Sequence, residues 1–308
     1  MTHLLNRRRF LCISAAISLM PAGARGEAAV AEWRGIALGA GASLRLVGVE
    51  IDAAREIFHA VEAELSRLES IFSLFRKDSA LALLNRTGRL DAPPPDLLEL
   101  LTLSGAVHDS TGGMFDPTVQ PLWALYAEHA GIPDVAALSE ARGRVGWKNV
   151  RVDEDSIRFD RPGMALTLNG IAQGYITDCV ARLLRSRGMR DVLVDMGEIA
   201  GLGRRSGDGP WRVGISAPDG RIVERVTLSE RALATSAPLG TVLDTAGSVG
   251  HILDPYSGKP VTTRALASVT ADRAALADAL STAFCGMDRR EIDVALKDHP
   301  SARLAYLA

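Results

Sequence analysis

The sequence predicts an α+β fold with a mixed, largely antiparallel sheet flanked by helices. Three observations carry this. Short segments rich in β-branched and apolar residues recur between turn residues, as in "DVLVDM", "WRVGISA", "RIVERVTL" and "LASVTA". Helical periodicity is confined to a few longer stretches. The two kinds of segment do not alternate as strand–helix–strand units throughout, which argues against a doubly wound parallel sheet. The 308 residues are 47% apolar and 23% charged, with a formal net charge of −2. That is ample material for a core, and it carries no basic footprint for nucleic acid.

Taken in order, "WRGIALGAGASLRLVGV" reads as strand. Asp52 to about Phe75 reads as a long amphipathic helix, with Ile57, Val61, Leu65, Leu68 and Phe72 on one stripe and Asp52 as its candidate cap. "SALALLNRTG" is a short helix ended by Gly88, and "DAPPPDLLELLTLSGAVHDSTGG" is a proline-started helix that stops at Gly112-Gly113. "KNVRVDEDSIRFD" turns like a hairpin. "MALTL" reads as a strand leading into the helix "NGIAQGYITDCVARLLRSRGM", capped by Asn169 and stopped at Gly188. "AALADALSTAFCGM" and "REIDVALKDH" are helices, and "ARLAYL" is a last strand. No repeat or composition break divides the chain, so residues 27–308 read as one catalytic unit.

Residues 1–26 read as a leader. "NRRRFL" is a basic start, "CISAAISLM" a short apolar run and "PAGARG" a small-residue exit. The apolar run is too short to span a bilayer. Arg7-Arg8 followed by Phe10-Leu11 resembles the twin-arginine export signal. The expectation is a periplasmic protein with no membrane span in its mature part. Cys12 leaves with the leader. Cys179 and Cys285 remain among apolar neighbours and read as buried free thiols.

Three places could carry chemistry. In "LNGIAQGY", Gly170 and Gly174 allow close backbone approach at a helix start. That suits either a phosphate cradle or simply a tight glycine turn into a helix. Asp278 and Thr282 lie four apart on one helix face. They read either as hard oxygen ligands for Mg2+ or as an exposed Asp beside a Thr bonded back to its own helix. His251 precedes the turn Asp254-Pro255-Tyr256-Ser257-Gly258-Lys259-Pro260; a lone histidine is more often structural than catalytic.

Six stretches in order resemble the FAD:protein FMN transferase family, often called ApbE. They are "GGMFDPTVQPLW", "LNGIAQGYITD", "DVLVDMGEIAGLG", "ALATSA", "HILDPYSGKPV" and "SVTADRAALADALSTAF". The resemblance implies an enzyme that binds FAD and Mg2+, moves the FMN half onto a Thr or Ser hydroxyl of an acceptor flavoprotein and releases AMP. It implies that Asp278, Thr282 and the Gly170 carbonyl hold the metal. Leu38, Met114, Phe115 and Asp116 fall in flavin-contacting stretches, and His251 falls near the pyrophosphate as the catalytic residue. Phe75, Thr167 and Gln173 stand at cofactor-contacting positions where the family more often has Tyr, Asp, and Lys or Glu. "RGIALGA", "LNGIAQGY" and the leader further resemble the branch that accompanies nitrous oxide reductase. On that resemblance the acceptor is the membrane flavoprotein of nitrous oxide respiration. An FAD pyrophosphatase and a non-catalytic flavin-binding or assembly protein are the alternative readings.

Overall fold

The computed structural model describes residues 30–205 and 209–308. The leader read from residues 1–26 lies outside the described residues. The chain opens with β1 (Val30–Ala37) and β2 (Ala40–Val47), joined by a two-residue turn. There follow α1 (Ile51–Phe72), α2 (Ala80–Thr87), β3 (Arg89–Asp91), α3 (Pro95–Ser110), α4 (Gln120–Glu128), α5 (Val135–Gly143), β4 (Val150–Val152) and β5 (Ser156–Phe159). The second half holds α6 (Ala172–Ser186), β6 (Val192–Asp195), β7 (Ile199–Leu202), β8 (Trp211–Ser216), β9 (Ile222–Leu228) and β10 (Arg231–Ser236). It closes with β11 (Ala267–Ala271), α7 (Ala274–Phe284), α8 (Arg289–Ala295) and β12 (Arg303–Leu307).

The main sheet runs β1-β2-β6-β7-β10-β11-β12, and every pairing in it is antiparallel. The α+β expectation holds. One face of the sheet packs with α1, α6 and α7 in the principal core, where Leu44, Val61, Leu68, Val180, Val269 and Phe284 are buried. The other face is covered by the β8–β9 hairpin through Leu193, Trp211, Val213, Ile215 and Leu233. Val192 and Val194 therefore point into one core and Leu193 into the other. This is why "VLV" is apolar throughout. A small satellite core, Leu122, Tyr126, Ala141, Leu243 and Leu253, ties α4 and α5 to the segment that carries His251.

The apolar stripe on α1 is buried as expected. Gly88 ends α2 in the left-handed conformation, where a glycine is favoured. Cys179 and Cys285 are buried and unpaired with each other. Several expectations need correction. Glu50, not Asp52, occupies the cap position of α1, and no side chain bonds there. Asp52 sits instead in the first turn, where the helix dipole favours a carboxylate. Ile171, not Asn169, caps α6, again without a side-chain bond. "MALTL" is not a strand. Its residues do alternate buried and half-buried. However, Leu166 exchanges hydrogen bonds with the Asn85 side chain at 2.7 and 2.8 Å, and the Thr167 N–H donates to the Pro117 carbonyl. The period-two pattern is real, but the backbone partners are a side chain and a loop.

Candidate active site

The site is organised by the crossing of α6 and α7. A Cβ on Gly174 would lie 2.4 Å from the Ala274 carbonyl oxygen and 2.7 Å from the Ala275 Cα. Both are backbone atoms that cannot swing aside, so only glycine fits. One turn on, Asp178 accepts hydrogen bonds from the Ala274 and Ala275 N–H groups at 2.7 and 3.1 Å. It thus caps α7 from the neighbouring helix. The glycines of "LNGIAQGY" are explained first by this close packing. Gly174→Ala tests it, because two effects oppose each other. Alanine favours an exposed helix interior by about 1 kcal/mol over glycine, whereas overpacking here should cost about 1 to 3 kcal/mol. The expected result is a lower denaturation midpoint. A raised midpoint would mean that the crossing has room.

The same crossing places Asp278. The residue is 3% exposed. Among the described residues its carboxylate accepts one hydrogen bond, from the Gly174 N–H to Oδ2 at 3.1 Å. Burial, with some repulsion from Asp178, holds its carboxyl well above the usual carboxylate range. A buried carboxylate with one donor is unfavourable by itself and suits a cation partner. Thr282 lies one turn further along, and a Cβ on Gly170 would come within 2.9 Å of its Oγ1. One carboxylate, one hydroxyl and the backbone of Gly170 therefore gather at one spot. Among the described residues no group of three or more His, Cys, Asp or Glu forms a metal cluster. The donor set fits a hard cation that completes its shell with phosphate oxygens.

His251 is fixed from another direction. Its Nδ1 lies 3.0 Å from the Pro238 carbonyl oxygen and 3.1 Å from that of Thr241, with the Thr241 N–H at 3.3 Å. Two acceptors outweigh one longer donor, so Nδ1 carries the ring proton and Nε2 keeps its lone pair. Burial pushes the imidazole pKa below its ordinary value. The ring is thus a neutral base. Its anchor is the short turn Pro238–Gly240, and Gly250 makes that contact possible: a Cβ there would meet the Pro238 oxygen at 2.4 Å. The following turn has a separate task. Asp254 accepts from the Tyr256 N–H at 2.8 Å and the Ser257 hydroxyl at 2.7 Å, and the Tyr256 hydroxyl donates to the Gly112 carbonyl. The turn therefore docks the histidine segment onto the "GGMFD" loop.

That loop is held from within. Asp116 is buried and accepts from the Thr118 N–H, the Thr118 hydroxyl and the Trp147 N–H. Phe115 is buried, and its carbonyl lies 2.9 Å from the Nδ1 of His108. Leu38, in the turn between β1 and β2, lines the same cavity as Phe115. Leu38 and Gly39 have φ of 47° and 86°, the signature of a primed hairpin turn. A leucine there is strained by about 1 to 2 kcal/mol; the Glu69 carboxylate accepts its N–H at 3.0 Å and helps to hold it. Phe75 is 65% exposed at the rim.

One cavity joins all these parts. Leu38, Phe75, Met114, Phe115, Asp116, Thr167, Gly170, Gln173, His251, Asp278 and Thr282 all line it. So do Trp123, Glu198, Thr235 and Ser236, which the sequence reading did not single out. "ALATSA" was a visible signal for Thr235 and Ser236. Glu198 is buried, with its carboxylate accepting the Thr235 N–H at 3.2 Å; the stretch "DVLVDMGEIAGLG" was the corresponding signal for it.

A sequence profile for the ApbE family matches residues 38–306. The chain belongs to this family. It is similar to the FAD:protein FMN transferase of Treponema pallidum (strain Nichols), at 28% identity over 92% of this chain and 86% of that protein. It is also similar to that of Klebsiella pneumoniae (strain 342), at 28% identity over 73% and 69%. Among solved structures, the ApbE protein of Thermotoga maritima superposes with a TM-score of 0.81 at 26% identity, covering 91% of this chain and 96% of that one. The apo flavinyl transferase ApbE of Pseudomonas stutzeri gives 0.77 at 26% identity, covering 88% and 89%. In this ApbE chain the matched region takes in every cavity residue named above.

Proposed function

We propose that this ApbE chain transfers the FMN half of FAD to a Ser or Thr hydroxyl of an acceptor flavoprotein and releases AMP. The observation that carries the reading is the composition of the one cavity: apolar walls at Leu38 and Phe115, a buried carboxylate at Asp278 and a neutral imidazole at His251. A flavin dinucleotide carries matching parts, a flat apolar ring and a charged pyrophosphate.

In this reading Asp278, Thr282 and the Gly170 carbonyl would hold Mg2+, which would supply neutralisation of pyrophosphate charge. Leu38, Phe75, Met114, Phe115 and Asp116 line the flavin side, and Thr167 and Gln173 complete the cofactor contacts. His251 Nε2 accepts the proton of the acceptor hydroxyl. The freed oxygen bonds to the FMN phosphorus, the bond to the bridging oxygen breaks, and that oxygen leaves on AMP. Membership of the branch that accompanies nitrous oxide reductase, suggested by "RGIALGA" and "LNGIAQGY", assigns the membrane flavoprotein of that respiration as acceptor. The test is incubation with FAD, Mg2+ and the candidate acceptor, followed by in-gel flavin fluorescence. A fluorescent acceptor band is expected. AMP release without that band would indicate hydrolysis, and neither product would indicate a flavin-binding protein.

Export by the twin-arginine route to the periplasm belongs to the same proposal. Replacing Arg7 and Arg8 by lysines keeps the charge and removes the guanidinium pair. The variant precursor is expected to stay uncleaved in the cytoplasm. Normal periplasmic appearance would assign the leader to general secretion. Among the described residues no helix is long and apolar enough to cross a membrane.

A further inference from the structure

We infer that Ser236 and Ser281 are positioning residues that turn the Thr282 proton away from the cavity, leaving the Thr282 oxygen lone pairs for a cation. The inference rests on the divalent-cation reading above. It comes from a chain of three hydroxyls that ends on a backbone carbonyl.

Each serine or threonine hydroxyl has one proton to give and two lone pairs to offer. Ser281 Oγ lies 3.0 Å from the Asp278 carbonyl oxygen. A carbonyl can only accept, and we assign the Ser281 proton to it. Ser236 Oγ lies 2.7 Å from Ser281 Oγ. With the Ser281 proton spent, Ser236 must be the donor in that pair. Ser236 Oγ also lies 3.2 Å from Thr282 Oγ1. With the Ser236 proton spent in turn, Thr282 must donate. The chain therefore runs one way: Thr282 to Ser236 to Ser281 to the Asp278 carbonyl.

The setting keeps this order fixed. Ser281 is fully buried on α7, and Ser236 ends β10, the strand against which α7 packs. The Cys285 thiol lies 3.5 Å from the Ser236 carbonyl and 3.4 Å from the Ser281 carbonyl, and so sits between the two backbones. Thr282 lines the cavity together with Asp278 and Ser236. A hydroxyl ligates a cation through a lone pair, and its proton must then point elsewhere to an acceptor. Ser236 is that acceptor. The orientation is set before any cation arrives, so no reordering is needed on binding.

The test is Mn2+ binding by the purified full chain, followed through the electron paramagnetic resonance signal of the free ion. This reads ligation without turnover. Ser236→Ala is expected to weaken Mn2+ binding about tenfold, the usual scale for losing the partner of a metal ligand. Ser281→Ala should weaken it less, because Ser236 then loses its bias but remains an acceptor. The deciding comparison uses a Thr282→Ala background. There, Ser236→Ala should cause no further loss, because the oxygen it orients is gone. An equal loss in both backgrounds would mean that Ser236 supports the fold and would overturn the inference. Unchanged affinity in the single Ser236→Ala variant would overturn it as well. Thermal midpoints for each variant identify any loss caused by unfolding. Wild-type protein that binds no Mn2+ and transfers FMN in the presence of a chelator would overturn the cation reading itself.

Discussion

Asp278→Ala is expected to lower FMN transfer by about 10² to 10⁴, the scale of losing an electrostatic clamp on a charged leaving group. The fold should survive the change. The carboxylate is buried with a single donor, so removing it relieves a desolvation penalty. It leaves the Gly174 N–H without its partner, which costs about 1 to 3 kcal/mol. The two effects oppose each other, and the thermal midpoint should move little. Initial rates of acceptor flavinylation, measured beside a melting curve, check both halves of the expectation. Near-normal transfer in the presence of EDTA would remove Asp278 from the reaction.

His251→Ala should lower transfer by about 10² to 10⁴ while FAD still binds. His251→Asn separates two roles. A histidine that only donates a hydrogen bond to the pyrophosphate can be replaced by an amide. A proton acceptor cannot. Both backbone carbonyls face Nδ1, so the structure leaves Nε2 as an acceptor, and asparagine should not restore the rate. The pH profile has a matching sign. Burial depresses the pKa from its ordinary value of 6.5, so the base form is present at neutral pH. Single-turnover rates should be flat above about 6.5 and fall only as the pH drops through the depressed value. Protonation also favours the unfolded chain, whose histidine is the more basic. The stability linked to His251 is therefore fully present above about pH 6.5 and is lost as the pH falls below it. Transfer near the wild-type rate by both variants would make the histidine a structural residue.

What the sequence revealed follows from how local each signal was. The stripe on α1 repeats over many turns and needs no partner to be seen. The stops at Gly88 and Gly188 are single residues with a single backbone preference. The short α4 and α5 went unread because only Leu122 and Tyr126 on one, and Ala141 on the other, are buried. That is too few for a period. Strands β7 and β10 escaped because the sheet is covered on both faces there, which erases alternation, and neither has the valine run that marks β6. "MALTL" misled for the opposite reason: it has the alternation without a neighbouring strand. In the site, the spacing of Asp278 and Thr282 was legible because a helix places i and i+4 together. The anchor of His251 was not, since it depends on Pro238 and Thr241 arriving from a separate turn. The departures at Phe75, Thr167 and Gln173 did not move those positions away from the cavity.

The strand order has a kinetic consequence. Leu38 sits on the β1–β2 hairpin, which joins the rest of the main sheet only where β2 pairs with β6. Residues 48–191 lie between those two strands, so the part of the cavity wall that Leu38 supplies is closed by a contact of very long range. At equilibrium this is inexpensive, because each doubling of a loop adds only about 0.6 kcal/mol of closure entropy. For the rate it matters far more, since non-local antiparallel pairing places folding in the range of roughly milliseconds to seconds. The expected order is helices and local hairpins first and the closed cavity late. A partly folded chain would then hold α7 without the completed pocket that FAD requires. The twin-arginine route proposed above, if it carries the chain already folded, would suit such a topology, because it would give the slow pairing time to finish on the cytoplasmic side.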